Sequence, residues 1–220
     1  MVFISFFLFE FFVLFLLSRT LTTTLSRFLP IQAFSFLFLP GVVIHELSHL
    51  LTAAILFVPV GEIEFMPKER EGGVKLGSVE IGSTDPIRRA IVGFAPVLVG
   101  IIVVLELINF VTDSSSIVRT IELNSILKIA IFIAVFYLVF AISNTMFSSS
   151  KDMEGTVTLI VALLTIAILL YFSGVRIPFN FLSVLLSDRT QRFFQTADIF
   201  LAVPVLIDVL IIGAVRFIRK

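Results

Sequence analysis

An all-α polytopic membrane protein, with about six transmembrane helices and a small β-hairpin between the second and third, is the fold this sequence predicts. Apolar residues make up 58% of the 220, mean hydropathy is +1.13 and only 15% are charged, values that lie outside ordinary soluble domains. Apolar runs near residues 1–17, 33–57, 90–111, 126–147, 156–172 and 196–217 each approach the roughly 20 residues that a helix needs to cross a bilayer. The longest polar insert, 61–85, alternates polar with apolar at Glu62-Ile63-Glu64-Phe65 and Val79-Glu80-Ile81 around Glu71-Gly72-Gly73, the pattern of a hairpin.

Taken in order, the first run lacks a basic leader and ends on Ser18-Arg19 rather than a small-x-small cleavage pattern, so it reads as a retained span with one odd residue, Glu10. The second contains Pro40-Gly41 and both histidines of the chain. The third opens on small residues, and the fourth ends near Asn144. Lys151-Asp152-Met153-Glu154-Gly155 follows as a polar loop before the fifth run. Ile177 to Leu186 is too short to cross and is interrupted by Pro178 and Asn180, which suits an interfacial or re-entrant piece. Six spans leave little room for a second module, so residues 1–220 are read as one membrane domain.

Sixteen basic and sixteen acidic side chains cancel without any long run of one sign, so nothing argues for nucleic acid as a partner. Cysteine is absent, which excludes disulfides, thiolate ligands and a cysteine nucleophile. Any metal must be held by nitrogen and oxygen.

His45 and His49 are four residues apart with Glu46 between them. On a helix that spacing puts both imidazoles on one face, able to share an ion, while Glu46 lies about 100° round from His45, within reach of water at that ion. Ionisable groups at membrane depth are costly and usually mark function. A catalytic zinc takes three protein ligands and keeps one position for water, and no third histidine exists, so the missing ligand is expected to be a carboxylate. After the second span the chain crosses and returns, which brings the loop after the fourth span to the side where the histidine helix ends. Asp152 is the first candidate, Glu154 the alternative, and Glu106 and Asp208 are weaker ones. Asn144 is a candidate substrate-binding residue through its amide, or else a helix-end residue bonding local carbonyls.

Pro40-Gly41-Val42-Val43-Ile44-His45-Glu46-Leu47-Ser48-His49, the hairpin, the third span beginning Gly93-Phe94-Ala95-Pro96 and the late Asp152 together resemble the site-2 protease family of intramembrane metalloproteases over about residues 33–160. The resemblance implies one zinc ion per chain held by His45, His49 and Asp152, with Glu46 as the catalytic base. It also implies transmembrane or membrane-associated proteins as substrates. The chain departs from the family pattern in two places. Met153 and Glu154 separate Asp152 from Gly155, and Ala95-Pro96-Val97-Leu98-Val99-Gly100 lacks the family's asparagine. The expected function is hydrolysis of membrane-embedded peptide bonds, and the compact form suits a prokaryotic cell membrane. Two alternatives stand beside it: a non-proteolytic scaffold or client-binding protein with a structural or degenerate metal site, and a metalloprotease resembling the prenyl-protein proteases, for which Glu154 would be the third ligand.

Overall fold

In the computed structural model, the described residues are 2–66, 68–70, 73–75, 77–112, 125–147, 161, 164–166, 168–170, 172–174 and 187–218. They form α1 (Val2–Ser26), α2 (Ile31–Ile55), β1 (Val60–Glu64), β2 (Lys68–Arg70), β3 (Gly73–Lys75), β4 (Ser78–Ile81), α3 (Pro86–Thr112), α4 (Ser125–Thr145) and α5 (Asp188–Ile218). All five helices are long and apolar enough to cross a membrane. The chain is therefore an all-α multi-pass architecture with a small antiparallel insert, as its composition predicts. Of the run at 156–172, the described residues 161, 164–166, 168–170 and 172 are helical, and the Ile177–Leu186 stretch lies outside the described residues.

Two helices outrun their apolar segments. α1 continues to Ser26, and its hydroxyl side chains turn back onto the helix, Thr22 donating to the Ser18 carbonyl (2.8 Å), Thr23 to Arg19 (2.7 Å) and Thr24 to Thr20 (2.6 Å). Bonds of this kind satisfy the hydroxyls on the helix's own carbonyls, so these polar side chains are accommodated within α1 beyond the apolar run. α5 likewise starts at Asp188, an acidic residue in the first turn where the helix dipole favours it.

The ends of α2 and α3 place the insert. α2 closes with Phe57 in the left-handed region (φ 56°), the Val58 N–H donating to the Ala53 carbonyl (2.8 Å) and the Phe57 N–H to Ala54 (3.1 Å). That is the paired capping pattern in which glycine is usual, and here Val58 packs on Ala53 and Val92 beneath it. Pro59 then prevents the helix from resuming. α3 begins at Pro86, whose missing N–H costs nothing at a first helical position. Asp85 caps it, accepting from the N–H groups of Ile87 (3.0 Å) and Arg88 (2.9 Å). The Arg88 N–H, aided by the Arg88 guanidinium and the Ile87 N–H, holds the Asp85 carboxyl below its ordinary value. A lowered folded pKa means that the cap is fully effective above the unfolded value of about 4 and is lost as pH falls through the folded one. Acidification through that range is expected to speed amide exchange in the first turn of α3, and Asp85→Ala is expected to show the fast exchange already at neutral pH.

The insert is a hairpin in two paired stretches. β1 pairs antiparallel with β4 (Val60↔Ile81, Ile63↔Val79, Glu64↔Ser78), with an irregularity between Val60 and Ile63 where one extra residue is taken up. β2 pairs with β3, from Lys68↔Lys75 to Arg70↔Gly73. Among the described residues no further strand pairs with either outer edge of the β1–β4 pair.

The helices pack through aromatic rings and small residues. α1 and α5 run in the same direction: Phe7 meets Phe194 (5.1 Å between centroids) near their starts, and Leu21 and Leu25 share a cluster with Ile212 further on. Phe136 stacks on Phe200 (5.2 Å), joining α4 to α5, and Phe38 faces Phe140 between α2 and α4. Many other large apolar side chains face outward, Phe6, Phe9 and Phe12 on α1 among them, as expected where the surrounding medium is hydrocarbon. The decisive close approach is at Gly41 of α2, which lies directly against Ala141 and Thr145 of α4. Small residues permit that contact, and packing of this kind holds helices together in lipid.

Candidate metal centre

One turn after Gly41, α2 carries His45, Glu46 and His49 into the bundle, with relative exposures of 4%, 5% and 3%. The two imidazoles meet edge to face, centroids 4.9 Å apart and planes at 80°. Rings that each bind one tetrahedral zinc at about 2.0–2.1 Å have centroids roughly 5 Å apart, so the pair is spaced to share an ion.

His49 is further constrained. Its Nδ1 lies 2.9 Å from the backbone oxygen of Val92 in α3. A carbonyl only accepts, so Nδ1 carries the proton and the lone pair is left on Nε2, the nitrogen able to ligate an ion. Histidine ligands commonly have their second nitrogen anchored in this way. Sequence reading missed Val92, although a signal was present: Pro96, four residues on, has no N–H to return to the Val92 carbonyl.

Glu46 sits under the hairpin. A side-chain carbon placed on Gly77, just before β4, would collide with Oε1 (2.5 Å) and Cγ (2.9 Å) of Glu46 and with Val42 (2.8 Å). Only a residue without Cβ lets the strand backbone lie so close to this carboxylate.

Among the described residues no third histidine, cysteine, aspartate or glutamate joins the pair in a group able to hold a metal. Glu106 and Asp208 are described and form no such group with the histidines. Asp152 and Glu154, the two carboxylates expected to complete the site, lie outside the described residues. Asn144 is wholly buried, and both hydrogens of its amide are engaged, one with the Phe140 carbonyl (3.1 Å) and one with Asp208 Oδ1 of α5 (3.0 Å). In this arrangement it ties α4 to α5. Glu10 of α1 and Asp198 of α5 form a buried acidic pair.

Comparison with models of protein families, with characterised proteins and with solved structures gives no match.

Proposed function

We propose that the chain is an intramembrane zinc metalloprotease, a divergent relative of the site-2 proteases, which hydrolyses peptide bonds of membrane-embedded or membrane-proximal proteins. The observation that carries this reading is the buried His45–His49 pair, 4.9 Å between rings and anchored through His49 to Val92, with Glu46 beside it in a helix of spanning length. Two imidazoles with an adjacent carboxylate are a donor set suited to one catalytic zinc rather than to a closed structural site, which needs no base. Asp152 is proposed as the third ligand, with Glu154 as the alternative.

Zinc, when bound, polarises the scissile carbonyl and makes water acidic enough to attack near neutral pH. The chain's own residues do the rest. His45 and His49 offer neutral nitrogen, and the Val92 hydrogen bond fixes the second ring. Glu46 accepts the proton of the attacking water and delivers it to the leaving amine. A substrate helix has its amides bonded internally, so it must unwind before cleavage, and an outer edge of the β1–β4 pair is suited to receive the extended segment. With Gly77 resting on Glu46, a strand held there passes close to the base. The compact single membrane domain suits a prokaryotic cell membrane.

Zinc content tests the ligand set. His45→Ala, His49→Ala and Asp152→Ala are each expected to reduce zinc from one per chain towards none. Unchanged zinc in Asp152→Ala with loss in Glu154→Ala would move the third ligand to Glu154, and unchanged zinc in both histidine variants would end the metalloprotease reading.

A further inference from the structure

In an α-helix each carbonyl normally accepts from the N–H four residues later. The partner due to Val92 is residue 96, and residue 96 is proline, inside α3. It has no N–H, and its ring presses on the carbonyl of residue 92. An unmatched backbone oxygen in a lipid-embedded helix is costly, because no water is there to satisfy it, so a neighbour has to supply a donor. The donor is His49 Nδ1, at 2.9 Å.

The same arrangement occurs a second time in this chain. Pro40 in α2 deprives the Phe36 carbonyl of its helical partner, and the Tyr137 hydroxyl of α4 donates to Phe36 (3.1 Å) and to Leu37 (3.2 Å). In both places a helix-interior proline creates an acceptor, and a side chain of the adjoining helix fills it. At Pro40 the result is an interhelical tie. At Pro96 the donor is a ring that packs against His45, 4.9 Å between centroids.

We propose that Pro96 is a positioning residue of the metal centre: by withholding a backbone N–H it reserves the Val92 carbonyl for His49, and so determines which nitrogen of that ring is presented to the ion. The proposal rests on the reading of His45 and His49 as metal ligands. Its effect on the ring exists before any ion binds. Free neutral imidazole of histidine favours the proton on Nε2, which is the wrong tautomer for ligation through Nε2, and the Val92 carbonyl reverses that preference. Pro96→Ala returns an N–H to the helix, which competes for Val92 and releases His49.

Only two histidines contribute to a ¹⁵N-imidazole spectrum of this chain, so the test is direct. In metal-free full-length protein at alkaline pH, one ring is expected as the Nδ1–H tautomer, and its assignment to His49 follows from loss of the signal in His49→Gln. In Pro96→Ala that signal is expected to move towards the Nε2–H form, and zinc affinity, read by chelator competition, to fall about 10–100-fold, the usual effect of removing an outer hydrogen bond from a histidine ligand. Alanine is far better than proline inside a helix, so the variant retains its fold. An ester in place of the amide at position 96, which lacks both the N–H and the proline ring, is expected to keep the parent tautomer and affinity. The proposal is overturned if Pro96→Ala keeps the Nδ1–H signal and binds zinc within twofold of the parent, or if the ester variant behaves like Pro96→Ala. A tautomer shift in a protein that takes up no zinc at all would leave Pro96 its hold on His49 and instead refute the metal reading.

Discussion

Glu46→Gln is expected to lower hydrolysis of a membrane-embedded substrate by about 10²–10⁴-fold, the usual contribution of a general base, with zinc content equal to that of the parent. The two readouts separate because glutamine keeps the size of glutamate and its contact with the Gly77 backbone but accepts no proton at neutral pH. Glu46 is not itself expected to ligate, since among the described residues it forms no three-membered metal group with the histidines. Cleavage at the parent rate would remove Glu46 from the chemistry. Loss of zinc together with activity would make it a ligand rather than the base. Both quantities are measured on one preparation, by metal analysis and by mass spectrometry of the products.

Gly41→Ala is expected to be strongly damaging for a change of one methyl group. Helix propensity alone favours alanine over glycine by about 1 kcal/mol, so the sign depends on the surroundings. The added carbon would fall on the Ala141 carbonyl and the Thr145 hydroxyl oxygen, at separations no real pair adopts, and two of the three nearest atoms belong to the α4 backbone. Backbone cannot rotate away as a side-chain end can, so α2 and α4 must separate. Overpacking of this kind costs about 1–3 kcal/mol, which outweighs the propensity gain. Since Gly41 is one turn from His45, the separation also moves the site. A lower melting temperature in detergent and weaker zinc binding are expected together, and a melting temperature at or above the parent's would show that the interface yields.

The helical membrane character was legible because each span is nearly free of charge, and the histidine pair because a four-residue spacing survives any choice of neighbours. The hairpin was legible from period-two alternation, and Ile63 and Val79, the apolar members of that alternation, are indeed opposed in the β1–β4 pairing. Helix ends were harder to read. Thr22, Thr23 and Thr24 look like the close of a span by hydropathy, yet the helix runs on to Ser26 with their hydroxyls bonded to its own carbonyls. Long-range partners were harder still. The bond from the Asn144 amide to the Phe140 carbonyl is local, one turn back, whereas its bond to Asp208, sixty-four residues later, links two positions that no local pattern connects. Val92 lies between these cases: its identity carries no signal, but the proline four residues on marks its carbonyl as one that must find a donor elsewhere.

Zinc K-edge absorption fine structure on the purified chain reads the proposed centre itself. One zinc per chain is predicted, with two imidazole nitrogens and oxygen donors at about 2.0–2.2 Å and no sulfur. A chain that retains no zinc after purification without chelators, or a metal shell lacking imidazole, would contradict it.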